Sequence, residues 1–505
     1  MSDGKIIQEN GENIMPITHE TCVLDDEGNP ITETIGDVSL LNTESRNLVG
    51  AINEVFGDII KEQVVDSLVD NGVEASANEP WSGLIEKIDN TISKNVETRD
   101  VLSELMQNGG YNINGDEDID SLLNILTASG IKNNEIKRII GGYYCTFILT
   151  NTGELFAVGE NTFIGLGISD KKSRSAFTPV TDNVENVFCG LGHSGNSLYG
   201  NTFILKKDGS LWACGDGYNG QLGLGVSGNN SRYTPLTQVT TNVNNDVKLV
   251  ASGANHTFIL KYDGSIWSCG NNSSGQLGLG DTTNRTTFTQ VTTNVNNDVK
   301  QIACGFNNCS YILKNDGTVW FCGNNSYGQM GTGSSDSTNH TTFTQINGIN
   351  DIKDIAYSKT SNSLFILKND NSLWVYGYNA NGELGIGNAT NKFSFTQSIT
   401  NVKQFSCGAY HTFIMKDDGS IWGTGQNTTG QLGLNHINGV YTFTEVVDMG
   451  KDNKQLDCGN YHTCVLKNDG TVWTCGQNGF GQLGVGIIDN TSNNYLKVFT
   501  KVPRF

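Results

Sequence analysis

Three histidines, His256, His411 and His462, fall at one place in a recurring phrase. Eight of the twelve cysteines precede a glycine at two other places: Cys189, Cys304, Cys407 and Cys458 at the first, Cys214, Cys269, Cys322 and Cys475 at the second. Imidazole and thiolate are the usual ligands of zinc, and imidazole titrates nearest neutral pH, so the chemistries to weigh are metal binding, acid/base catalysis and disulfide formation. The spacing speaks against each. In the other copies the histidine place holds Cys145, Asn201, Cys309 and Ser363, a drift that a ring of catalytic histidines would not tolerate. There is no Cys-x-x-Cys pair and no matched histidine spacing, so the cysteines read as small buried apolar filler and the histidines as packing or hydrogen-bonding groups inside each repeat. No nucleophile with its base, no paired carboxylates and no lone phosphate loop stand out, because the glycines of Gly-Gln-Leu-Gly recur in one register and mark turns. The expectation is a non-enzymatic chain without metal or cofactor.

The repeated elements explain that register. Six of the seven tryptophans, Trp212, Trp267, Trp320, Trp374, Trp422 and Trp473, fill a single slot, with Phe156 taking it once upstream. Each slot follows a turn glycine: Gly153, Gly209, Gly264, Gly317, Gly419 and Gly470, with Asn371 in the fifth copy. Asp-Gly between short apolar runs is a hairpin signal, since the turn needs positive φ, and asparagine is the residue that best tolerates it after glycine. Val-Lys-Gln-Ile-Ala, Phe-Ile-Leu, Ser-Ile-Trp and Phe-Thr-Gln-Val runs predict four strands per unit. A period near fifty residues, repeated seven times, predicts a mainly β chain folded as a seven-bladed β-propeller, whose closed ring buries the edges and faces of each sheet.

The phrases Gly-x-x-His-Thr, Asp-Gly-x-x-Trp and Gly-Gln-Leu-Gly resemble regulator-of-chromosome-condensation repeats over residues 136–505. That resemblance implies the seven-bladed propeller; similar proteins include exchange factors for small GTPases, chromatin binders and a secreted enzyme inhibitor. Fold alone does not select among such roles.

Charge narrows them. Residues 136–505 hold 25 basic and 25 acidic side chains, whereas residues 1–135 hold 7 and 27, which accounts for the whole net charge of −20. A balanced ring behind an acidic arm lacks the clustered lysines and arginines that neutralise phosphates, so nucleic acid is not an expected partner. No run of about eighteen apolar residues exists, so membrane insertion is not expected, and the start has no secretory signal pattern.

The front follows other rules. Thr43 and Ser45 are capping candidates before Leu48, Val49, Ile52, Val55, Phe56, Ile59 and Ile60, whose spacing predicts an amphipathic helix that serves either a coiled-coil seam or packing within the chain. Leu68 to Leu84 is echoed by Leu105 to Leu122, which predicts two helix-turn-helix units with Asn-Gly stops. The stretches Ile14–His19, Val23–Gly28, Leu41–Val55 and Gly72–Ile88 resemble the opening, linker helix and small helical repeats of phage tail-fibre and baseplate appendage proteins. The resemblance implies a virion attachment segment (1–40), a helical spacer and oligomerisation region (41–135) and an exposed propeller (136–505). It implies virion tail or baseplate proteins as partners at the front, and a homo-oligomer, by analogy a trimer.

For the propeller, the places where the repeat frame holds while one side chain changes are the candidate contacts. Before Gly-Gln-Leu-Gly these are Phe163, Tyr218, Ser274, Tyr327, Asn381, Thr429 and Phe480; before the histidine place they are Tyr144, Asn255, Tyr410 and Tyr461. Aromatic rings beside amides suit a host cell-wall glycan or a surface protein, and the same tyrosines would equally serve to plug blade interfaces. The expected function is adhesion to a host surface, with two alternatives: a structural baseplate part touching only virion proteins, or a regulatory propeller that binds a GTPase or inhibits an enzyme.

Overall fold

The computed structural model describes residues 136–503, apart from 191–192, 195–196, 199, 244, 296–297, 307, 327, 332, 334, 336–337 and 487–493. Before these it describes two small strand pairs, Gln8–Glu9 with Glu12–Asn13 and Val23–Leu24 with Pro30–Ile31. The helices expected over 41–135 and the candidate Tyr327 lie outside the described residues. Among the described residues no helix is long and apolar enough to cross a membrane.

From Ile136 onward the chain forms seven four-stranded antiparallel sheets, each laid down in chain order from first to fourth strand. The third blade is representative: Val247–Ser252, His256–Lys261, Ile266–Gly270, Arg285–Gln290. First strands of successive blades touch one another around a complete circle, from the first blade through the seventh and back, so they line the centre of a closed seven-bladed propeller. Strands one and two, and strands three and four, connect on one face of the ring. The Asp-Gly turns between strands two and three, and the links to the next blade, lie on the other.

The turn face repeats one device. Asp263 Oδ1 accepts from Ser265 N (2.9 Å) and Ser265 Oγ (2.7 Å), and Ser265 Oγ accepts from Trp267 Nε1 at 3.3 Å. The same triad recurs as Asp208–Ser210–Trp212, Asp316–Thr318–Trp320, Asp370–Ser372–Trp374, Asp418–Ser420–Trp422 and Asp469–Thr471–Trp473. In five blades a lysine lies over the indole, from 3.7 Å (Lys416 on Trp422) to 5.5 Å (Lys368 on Trp374). Asn371 holds φ 61°, as the glycines do at its position in other blades.

The remaining phrases join blades to each other. Gln455 exchanges two bonds with the main chain of Ile139, accepting from its N (3.0 Å) and donating to its O (2.7 Å), and Gln301 does the same with Ile355. The last blade therefore closes onto the first with the clip used elsewhere, and no strand is exchanged. Gly278 explains its own invariance in the repeat: at φ +69°, a Cβ there would lie 2.6 Å from Phe343 of the next blade. The histidines also act between blades, which corrects the expectation of a role inside each one. His256 Nε2 meets Ser310 Oγ (2.8 Å), His411 Nε2 meets Thr463 Oγ1 (3.1 Å) and His462 Nε2 meets Thr146 Oγ1 (3.0 Å). Each hydroxyl also donates to the main chain of the preceding blade's Gly-Gln-Leu-Gly loop, as Ser310 does to Gln276 O at 2.8 Å. Burial holds His256 down to about 4; burial and the Lys359 charge hold His411 and His462 down to about 3. Cys269, Cys322 and Cys475 are buried at the same boundaries, pointing their thiols at the carbonyls of Gln221, Gln276 and Gln431.

Candidate functional site

On the face opposite the Asp-Gly turns, the connection between strands one and two is a tight loop closed by Gly142 N→Cys145 O, Gly408 N→His411 O and Gly459 N→His462 O, each 2.8 Å. The residue before each closing position is a tyrosine: Tyr144, Tyr410, Tyr461. Its carbonyl accepts from a main-chain N–H at the end of the third strand or just after it, that of Glu160, Gln426 or Gln477 (2.8–2.9 Å). Those clasps need a glycine beside them. At Gly425 a Cβ would lie 2.8 Å from the Cα of His411, and at Gly159 2.7 Å from that of Cys145. With their main chains pinned this way, the rings are held in place above the strand ends.

Neighbouring blades bring the rings into a row. Tyr410 and Tyr461 have centroids 6.3 Å apart, Tyr461 and Tyr144 stack at 6.1 Å, and Phe480 lies 5.1 Å from Tyr144. Tyr378 extends the row beyond Tyr410 at 6.5 Å, and Tyr143 meets Tyr144 edge-on at 4.7 Å. Four of the expected contact residues, Tyr144, Tyr410, Tyr461 and Phe480, are thus drawn together across the first, sixth and seventh blades. Burial pushes the Tyr143, Tyr144 and Tyr461 hydroxyls above the ordinary phenol range, so these rings stay neutral.

Beneath the row, the loops of four blades are bonded to one another. Lys359 N donates to Gly408 O (3.0 Å), Ala409 N to Asn460 O (3.0 Å) and Asn460 N to Tyr143 O (3.1 Å). The Lys359 ammonium donates to Gly141 O, joining the fifth blade to the first. The row therefore rests on a stiff base that a ligand need not order when it binds.

Phe163 and Tyr218 are placed elsewhere. Phe163 stacks on Tyr233 at 5.5 Å, with Lys171 Nζ 3.8 Å above the Tyr233 ring, and the Arg232 guanidinium covers Tyr218 at 4.2 Å. Sequence reasoning missed Tyr143, Tyr378, Lys359 and Glu383. Two of these carried a signal as breaks in the frame: Glu383 stands where Gln221, Gln276, Gln329, Gln431 and Gln482 stand, and Tyr378 where Asp216, Asn271, Asn324, Gln426 and Gln477 stand.

The site has affinity chemistry, namely flat amphipathic rings and fixed polar groups. The model of the RCC1-like domain matches residues 127–399, and that of the regulator of chromosome condensation (RCC1) repeat matches 402–431 and 454–482. The ultraviolet-B receptor UVR8 of Arabidopsis thaliana is 27% identical over 295 residues, which is 56% of this chain and 63% of that protein. The X-linked retinitis pigmentosa GTPase regulator of Homo sapiens is 30% identical over 185 residues, 36% of this chain and 16% of that protein. The chain thus spans less than two thirds of the length of these curated relatives. Among solved structures, human WBSCR16 has TM-score 0.57 at 21% identity, covering 67% of this chain and 87% of that one. Yeast RCC1 (Prp20), solved bound to Kap60, has TM-score 0.59 at 16% identity, covering 73% and 85%. These two likenesses show the fold. With the domain model matching more than half of its residues, the chain belongs to the RCC1-like domain family.

Proposed function

We propose that the propeller is a protein-binding module that engages one partner through the aromatic row formed by the fifth, sixth, seventh and first blades. The observation that carries this reading is the row itself: rings from four blades, contiguous and on the face where the repeat varies. Tyrosine supplies large contact area at low entropic cost and is enriched where protein interfaces hold most of their energy. Two relatives support the same direction, one named as a GTPase regulator and one solved in complex with Kap60. Catalysis has no place in this reading. A photo-crosslinking residue in place of Tyr410, with another in place of Asp263 on the opposite face as control, tests it. The reading expects a one-to-one protein adduct from Tyr410 alone; adducts from both positions equally, or from Asp263 only, would overturn it.

A second reading has one observation in its favour, the resemblance of residues 14–88 to phage tail-fibre and baseplate segments. In it, residues 1–40 attach to a virion, 41–135 space and trimerise, and the propeller is an adhesin for a host glycan or surface protein, with affinity raised by several copies. Binding of the full chain to host cells, before and after wall polymers are stripped, separates the readings. Loss on stripping supports a glycan adhesin; failure to bind cells ends it.

A further inference from the structure

We propose that Cys145 and Cys189 are a modification site: a reversible disulfide between them staples the first blade to the second when the chain meets a small disulfide such as oxidised glutathione. The proposal goes beyond the protein-binding reading above and does not depend on it.

Two slots of the repeat meet where one blade follows another. One opens the second strand, where Asn201, His256 and Cys309 stand; the other lies at the end of the next blade's first strand, where Ser252, Cys304 and Tyr357 stand. Ser252 Oγ donates to Asn201 Oδ1 at 3.0 Å. A Cβ at Gly253 would lie 2.8 Å from His256 Cε1 and 3.2 Å from Cys304 Cβ, and one at Gly305 would meet Cys309 Sγ and lie 3.1 Å from Tyr357. At the first boundary the same slots hold Cys145 and Cys189: a Cβ at Gly142 would meet Cys145 Sγ and lie 3.6 Å from Cys189 Sγ. Elsewhere the slots pair Ser363 with Cys407, His411 with Cys458 and His462 with Gly141, so this boundary alone sets thiol against thiol.

Among the described residues Cys145 and Cys189 are half-buried, and the other nine cysteines are buried. Cys214 is no rival partner, because Thr202 pairs with both it and Cys189; two strand spacings, about 9.5 Å, exceed the reach of a disulfide. The imidazole that ties blades at three other boundaries is missing here, since Cys145 takes its place. Only the hydroxyl remains, Thr202 donating to Gly165 O at 2.7 Å. A disulfide supplies the tie instead. Its hydrogen bond with Cys189, together with burial, pushes the Cys145 thiol well above the ordinary range, so Cys189 ionises first. The Cys189 thiolate attacks one sulfur of the glutathione disulfide, forming a mixed disulfide and releasing one glutathione. Cys145 then loses its proton and attacks the Cys189 sulfur, releasing the second. The two cysteines give up two electrons and two protons, and the oxidant takes both to become two thiols.

To test this, the full chain, reduced and freed of reductant, is incubated with oxidised glutathione, its remaining thiols are blocked with N-ethylmaleimide in denaturant, and its tryptic peptides are mapped by mass spectrometry. Trypsin places the two residues on separate peptides, 139–171 and 175–206, each with one cysteine. The expected result is those two peptides linked, lighter by two hydrogens than the reduced pair and separated by dithiothreitol, with the melting midpoint raised by about 5 °C while the link is intact. Cys145→Ser and Cys189→Ser install the residue that Ser363 and Ser252 supply in the same slots of other blades. Both variants are expected to fold as the wild type does, to form no link and to show no shift. Glutathione retained on Cys189, a link from either residue to a different cysteine, or full alkylation of both thiols overturns the pair. A link that forms without raising the midpoint overturns the staple.

Discussion

On the face made by the Asp-Gly turns, six blades build the same triad of aspartate, hydroxyl and indole, and five of them roof it with a lysine. On the opposite face the strand ends are just as constant, with clasped carbonyls and left-handed glycines, but the side chains above them differ from blade to blade. The contrast teaches where a repeat spends its agreement. Residues that join one strand or blade to the next cannot change without costing the ring its closure, while a side chain standing on a clasped main chain can change at little expense.

Breaking the shared frame at a blade boundary is expected to have the largest effect. His256 takes up a proton near 6.5 in the unfolded chain but only near 4 when folded, so the stability it secures is present above pH 6.5 and drains as pH falls toward 4. Between pH 7 and pH 4 the wild type should lose up to about 3 kcal/mol more than His256→Asn, the residue that the second blade carries at this place. Denaturant titrations at the two pH values check this, and an equal loss in both proteins would refute a buried neutral imidazole.

Glu383 sharpens the comparison with the opposite sign. The unfolded chain releases this proton near 4.5 and the folded chain near 7, so folding is favoured less as pH rises through that window. At pH 8, E383Q is expected to be more stable than the wild type by up to about 3 kcal/mol, with the advantage shrinking to nothing near pH 4. Melting curves at both pH values decide it.

Next in size is the glycine pair Gly278 and Gly228. Both hold positive φ, but only Gly278 meets a neighbouring blade. Gly278→Ala should cost about 2 kcal/mol and Gly228→Ala about 1 kcal/mol, the difference being the pressure on Phe343. Equal costs would mean that the Phe343 contact adds nothing to backbone strain.

The smallest stability effects divide the faces. Ser265→Ala removes one triad hydroxyl and should cost about 1 kcal/mol with partner binding intact. Tyr410→Ala should cost less than about 0.5 kcal/mol and abolish the one-to-one complex. The reverse pattern would assign binding to the turn face.

Much of this architecture was legible in the chain because each phrase is repeated in step. Trp267 with Asp263-Gly264 announces a hairpin on its own, since the turn is local and glycine's freedom at positive φ is intrinsic. Asn371 could be read the same way. The role of Gly278 could not, because the ring it must clear belongs to Phe343, sixty-five residues later and in another blade. The histidines were mistaken for groups serving their own blade for the same reason: their hydroxyl partners lie 52 to 316 residues away.

The candidate site divides likewise. Tyr144, Tyr410, Tyr461 and Phe480 were visible as variable positions in a fixed frame, whereas Phe163 and Tyr218, chosen on the same grounds, stand with Tyr233 and Arg232 instead. By itself the sequence determined the number of blades, the strand order within each and the absence of net charge on the ring, because turn chemistry, alternation and composition act within a few residues. Only the tertiary structure decided which blades stand side by side at closure. That adjacency gathers rings from both ends of the propeller into one row, and distance along the chain carries no record of it.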